Sequence, residues 1–176
     1  LFKNYPNALL ELRTKSIQVR PLSIIKPINN CIVAYSLMPE KISRQLDVKT
    51  PSIQKRILTM KTLAEIGWKI GLRFDPLIHA KDWKNLYSEL HKHIFNSIPL
   101  SSIHSISYGT LRFPKSMFKK IHNLHPHEKL FSGPLTFGMP EIGYKNEIEN
   151  EMIEYCKKLS LNVLPETIIF NCTSTI

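Results

Sequence analysis

Cysteine is scarce in this chain, and its placement excludes several chemistries. The three residues, Cys31, Cys156 and Cys172, stand far apart in the sequence. An odd count at such gaps is neither a disulfide framework nor the close spacing of a zinc or cluster site. Reduced thiols of a cytoplasmic protein are the expectation. Long apolar runs are also missing, and none approaches the ~20 residues a membrane helix needs. No basic stretch leads into an apolar core and a small-residue cleavage site, so no secretory signal is visible. The GxSxG, GxGxxG and GxxxxGK turns are absent too, which leaves hydrolase, dehydrogenase and NTPase readings without a motif.

What is present supports a packed domain. Of 176 residues, 43% are hydrophobic and 22% charged, a balance that favours a core over disorder. Lys and Arg number 24 against 14 Asp and Glu, a net charge of +10. Such an excess favours polyanions, nucleic acid first among them. Lys- and Ile-rich proteins without that role share the same excess. The sequence opens on Leu1 and turns apolar by Ala8. The expectation is a single incomplete domain over residues 1–176, cut from a longer chain.

Short apolar runs at residues 8–14, 31–37, 69–74, 104–108 and 167–171 end at polar or turn residues, as buried strands do. Amphipathic stretches at 52–66, 81–98, 114–124 and 146–159 separate most of them. Pro51 suits the first turn of the first helix and Gly67 its stop, while Asp82 is positioned to cap the second. Residues 125–140 read as a long loop. Strand and helix in alternation predict an α/β fold: parallel strands with crossover helices, either an open sheet or the later portion of a partial barrel.

In parallel α/β folds, functional groups gather at the C-terminal ends of strands. That rule selects Arg13, Lys15, Ser36, Asp75, Tyr108 and Arg112. Lys15 and Ser36 could together hold a carboxylate or phosphate, and Arg112 offers a planar fork for the same oxygens. Arg13, Lys15 and Asp75 could equally pair with one another across strand ends.

An ordered set of segments then becomes specific. It comprises ELRTKS at 11–16, VAYSL at 33–37, Arg56, GWKIGLRFDP at 67–76, Trp83 and Tyr87 within DWKNLY, and SYGTLRF at 107–113. Taken together, these resemble the spore photoproduct lyase family of radical S-adenosylmethionine enzymes, in particular its broader DNA-repair photolyase-like branch. The resemblance implies a partial β/α barrel of the radical S-adenosylmethionine type. It implies a [4Fe–4S] cluster whose ligands lie upstream of this chain. It also implies reductive cleavage of S-adenosylmethionine to a 5′-deoxyadenosyl radical, which splits a thymine dimer in DNA by carbon–carbon bond cleavage. By position, Lys15 and Ser36 correspond to ligands of the methionyl carboxylate, and Asp75 borders the same cofactor. Arg112 and Tyr108 face the substrate side. DNA and a reductant protein are the implied partners, with no membrane.

Two departures stand beside the likeness. No CxxxCxxC segment is present, so this piece alone is expected to be inactive. Near the end, Cys172 leads into Thr173, Ser174 and Thr175, where the family has an acidic residue. Cys31 reads as a small core residue and Cys172 as an outside candidate for the rim. His91 and His93, and His122, His125 and His127, lack the company a zinc site needs. Lys115, Lys119 and Lys120 follow Arg112 and either track a DNA backbone or form a solvated helix face. The rival readings are a non-catalytic basic nucleic-acid-binding remnant and a radical enzyme on another substrate.

Overall fold

The computed structural model describes residues 2–138 and 141–172; the Thr173 to Thr175 segment lies outside them. In chain order the elements are β1 (Leu10–Thr14), α1 (Arg20–Ser23), β2 (Cys31–Ser36), α2 (Glu40–Leu46), α3 (Ile53–Ile66), β3 (Lys69–Leu77) and α4 (Trp83–Ser97). There follow β4 (Ile103–Thr110), β5 (Arg112–Pro114), α5 (Lys115–Leu124), β6 (Leu135–Phe137), β7 (Glu141–Tyr144), α6 (Asn146–Leu161) and β8 (Ile169–Asn171). The five strand candidates all enter one sheet, in the order β1-β2-β3-β4-β8. Every pairing in it is parallel. No helix among the described residues is long and apolar enough to cross a membrane.

Local chemistry sets the helix ends. Ser52 caps α3 by accepting from the Lys55 N–H at 3.3 Å, and Gly67 ends it at φ 106°, a left-handed conformation that glycine adopts without a Cβ penalty. Asp82 departs from its expected role. It sits at φ 64° with no side-chain bond to the α4 backbone, and its carboxylate accepts instead from the Asn85 side-chain amide at 2.6 Å.

The sheet has two unlike faces because side chains alternate along each strand. Val33, Tyr35, Ile70, Leu72, Phe74, Ile106 and Tyr108 are buried in the main core, on the face that packs against α3, α4 and α6. The other face carries Glu11, Ala34, Ser36, Gly71, Arg73, Ser105 and Ser107. Small and polar residues suit a barrel interior that faces ligand rather than helix.

Residues 125–140 are not a plain loop. They contain a short helical turn, Lys129–Ser132, and strand β6. β5, β7 and β6 form a second, antiparallel sheet, in register Phe113↔Ile142 and Leu135↔Tyr144. Phe113, Phe118 and Phe131 make edge-to-face contacts that hold α5 to it. Three- and four-residue strands are too short to show an alternation, which is why sequence patterning misses them.

Candidate functional site

The polar face of the parallel sheet ends in two charged clusters. The first is at the ends of β1 and β2. Parallel pairing aligns Thr14 with Tyr35, so the next positions, Lys15 and Ser36, are neighbours. By alternation with Ala34, Ser36 lies on the polar face, and Lys15 directly follows the last residue of the adjacent strand. Lys15 Nζ is 2.5 Å from Asp47 Oδ1. The other carboxylate oxygen of Asp47 accepts from Arg56 Nη2 at 2.7 Å. Arg56 is 0% exposed. It also donates from Nε to the Pro51 carbonyl at 3.0 Å and from Nη1 to the Ser36 carbonyl at 3.0 Å. Lys15 and Ser36 are thus tied together through Asp47 and Arg56. Burial pulls the Asp47 carboxyl upward, but the hydrogen bonds and charges of Lys15 and Arg56 outweigh it and hold its pKa below the ordinary carboxylate value.

The second cluster lies at the ends of β3, β4 and β8. Asp75 Oδ1 is 3.5 Å from Arg112 Nη1, which also donates to the Thr110 carbonyl at 3.1 Å. Arg112 Nη2 lies 3.6 Å from Cys172 Sγ. Gly109 makes this possible: a Cβ there would stand 2.9 Å from Arg112 Nη1 and 3.0 Å from both Asp75 Oδ1 and the Cys172 carbonyl.

Between the clusters is a pair formed by Arg73, which stands near the end of β3, and Glu11 of β1. Arg73 is level with Ser36 in the β2–β3 register and 2% exposed. Its side chain turns back along the sheet to Glu11 Oε2 at 2.6 Å and Ser105 Oγ at 2.9 Å. The Arg73 hydrogen bond, working against burial, holds the Glu11 pKa below its ordinary value. Gly71 leaves room for it, since a Cβ there would meet Arg73 Nη2 and Ala34 Cβ at 2.9 Å. Ser107 is completely buried on the same face, and its hydroxyl has no partner among the described residues.

The sequence-selected residues therefore divide. Lys15 and Ser36 come together, and so do Asp75 and Arg112. Arg13, Lys15 and Asp75 do not pair with one another: Arg13 sits 3.4 Å from Glu11, Lys15 meets Asp47 and Asp75 meets Arg112. Tyr108 is not brought to the rim. Alternation turns it to the helix-covered face, where its hydroxyl lies 2.8 Å from His91 Nε2 and 2.6 Å from Ser160 Oγ. It is 0% exposed, and burial raises its pKa, so it is a core group with no path to a substrate. Cys31 and Cys156 are buried, and Cys172 is half-buried beside Arg112. Trp68 is buried with its indole N–H on the Leu22 carbonyl at 3.0 Å, so it offers no stacking face. Asp47 is the site group that the sequence reading does not name, and Arg56 enters it only within the family-like set of segments, without a role. Arg56 left one signal, a charge within the apolar stripe Ile53, Ile57, Met60 and Leu63.

The sequence model of the spore photoproduct lyase family matches residues 2–167. The chain belongs to the spore photoproduct lyase family. A relative in that family, the spore photoproduct lyase of Clostridium acetobutylicum, is 23% identical over 117 residues, which are 66% of this chain and 34% of that protein. Among solved structures, a spore photoproduct lyase double mutant with bound AdoMet and dinucleoside spore photoproduct superposes with a TM-score of 0.80 at 18% identity. A spore photoproduct lyase complexed with dinucleoside spore photoproduct gives 0.77 at 18% identity. Both comparisons cover 93% of this chain and 50% of the other. The chain thus spans half the length of those structures and about a third of the curated relative. Over that span its fold is the radical S-adenosylmethionine fold of spore photoproduct lyase.

Proposed function

We propose that this chain forms part of a spore photoproduct lyase-like enzyme that repairs a thymine-dimer lesion in DNA by radical carbon–carbon bond cleavage, with Lys15 and Ser36 receiving the amino-acid end of S-adenosylmethionine. The observation that carries the reading is the first cluster: two ligand candidates at adjacent strand ends, fastened to each other through Asp47 and Arg56. Lys15, Arg56 and Asp47 sum to one positive charge, matched to a single carboxylate. Lys15 can turn its remaining donors to that carboxylate while Asp47 holds the ammonium.

The cluster cofactor is a different matter. A [4Fe–4S] centre of this class needs three converging thiolates. Among the described residues, no group of three His, Cys, Asp or Glu is placed to hold a metal ion. The described residues do not fit a cluster. When bound, S-adenosylmethionine supplies hydrogen-abstracting radical chemistry. Asp75, held by Arg112, borders the cofactor on the far side of the same face. Arg112 in turn offers its guanidinium to a phosphate or base of the lesion strand. DNA is the partner that a +10 chain attracts most strongly, and an electron-donor protein is required for turnover.

The test is repair by the full encoded protein that carries these residues, loaded with cluster and S-adenosylmethionine and given dinucleoside spore photoproduct. The expected result is loss of the lesion with release of two thymidines. Cofactor cleavage without lesion loss would assign another substrate; neither event would remove the enzyme reading.

A further inference from the structure

Arg56 and Asp47 do more than close the core. A buried ion pair is a poor stabiliser, because desolvation consumes most of the attraction and apolar residues of similar size do as well. Here both groups are committed outward. Arg56 reaches the Ser36 carbonyl at 3.0 Å, the last residue of β2, and the Thr50 hydroxyl at 2.5 Å in the α2–α3 connection. Asp47 caps the C-terminus of α2, with its N–H on the Ser43 carbonyl. It gives one oxygen to Arg56 and the other to Lys15 Nζ. Lys15 is 38% exposed at its side chain, and free in water it would sample many rotamers. Asp47 removes that freedom while leaving two of the three ammonium hydrogens for a ligand.

Resting on the cofactor reading above, we propose that Asp47 and Arg56 are positioning residues. Arg56 fixes the Ser36 strand end, and Asp47 fixes the Lys15 ammonium, so that together they preform a receptor for the carboxylate of an α-amino-acid ligand. Neither residue touches the ligand. Their effect is therefore on discrimination between ligands with and without a carboxylate, not on the adenosyl end.

The experiment measures equilibrium binding of two probes to the full encoded protein. One is S-adenosylhomocysteine; the other is its decarboxylated analogue, 5′-(3-aminopropylthio)adenosine. Wild type is expected to prefer the carboxylate-bearing probe. Asp47→Asn keeps the shape and removes the charge that orients Lys15, and Arg56→Lys removes the fork. Each is expected to reduce that preference about tenfold, the worth of a charge-assisted hydrogen bond. A purely structural role would weaken both probes alike and leave their ratio intact, and an unchanged ratio overturns the proposal. A larger ratio in Asp47→Asn also overturns it, since Asp47 would then be a competitor for Lys15. If Arg56→Lys does not fold, the near-isosteric Asp47→Asn decides alone. Wild type binding both probes equally, or neither, would remove the cofactor reading itself and this inference with it.

Discussion

Histidine 91 offers a quantitative check on the core beneath the site. It is 2% exposed, stacked on Phe74 at a centroid distance of 4.5 Å, with Nδ1 2.7 Å from the Tyr87 carbonyl and Nε2 2.8 Å from the Tyr108 hydroxyl. A carbonyl only accepts, so Nδ1 carries the proton and Nε2 accepts from Tyr108. Tyr108 in turn accepts from Ser160. A proton on Nε2 would break that chain and bury a charge. Burial therefore pushes the His91 pKa down to about 4 from 6.5, against the opposing pull of the Tyr87 carbonyl. The folded value lies below the unfolded one, so the unfolded chain binds the proton first as pH falls. Stability should be unaffected above pH ~6.5 and decline below it by about 1.4 kcal/mol per pH unit until the folded pKa is reached, about 3 kcal/mol in all. His91→Gln removes this proton. The variant will be less stable at pH 7, because one hydrogen bond and some packing are lost. Its loss of stability between pH 7 and pH 4.5 should nonetheless be smaller than that of wild type by nearly that amount. Urea unfolding followed by circular dichroism at both pH values measures the difference. Equal pH dependence in the two proteins would refute the buried, neutral His91.

Glu11→Gln leaves Arg73 buried with its strongest partner weakened, and should cost about 2 kcal/mol in urea unfolding. This is below the usual loss for a buried pair, because a third of Glu11 is in water. Gly109→Ala drives a methyl group into Arg112, Asp75 and the Cys172 carbonyl. It should destabilise by about 1–3 kcal/mol and weaken lesion binding more than cofactor binding; the reverse order would detach Arg112 from the substrate side. Lys119→Ala and Lys120→Ala on α5 should each lower the salt slope of DNA binding by about one and weaken all sequences alike. Unchanged slopes would make that helix face a solvated surface.

The parallel sheet was legible because its strands are buried on the helix side and end at clear turn residues. The apolar run at 69–74 stops short of the end of β3, which continues to Leu77 through an irregular pairing with β4. Helix α2 carried too short a pattern to register. The site was legible where the strand-end rule applies, at Lys15, Ser36, Asp75 and Arg112. It was not legible where side chains arrive from elsewhere. Asp47 lies in an irregular connection, and although Arg56 and Arg73 stand out as residues, their partners Asp47 and Glu11 are fixed only by folding. Tyr108 shows the rule's blind spot: a residue at a strand end can still point to the wrong face, and parity along β4, with Ser105 reaching Arg73, decides it.

On the proposed reading, one end of this sheet receives a carboxylate between Lys15 and Ser36. A crystal structure of the full encoded protein with S-adenosylhomocysteine tests it most directly. The expected structure has the ligand carboxylate within hydrogen-bonding distance of Lys15 Nζ and Ser36, with Lys15 still on Asp47. A carboxylate bound elsewhere, with these two side chains untouched, would contradict it.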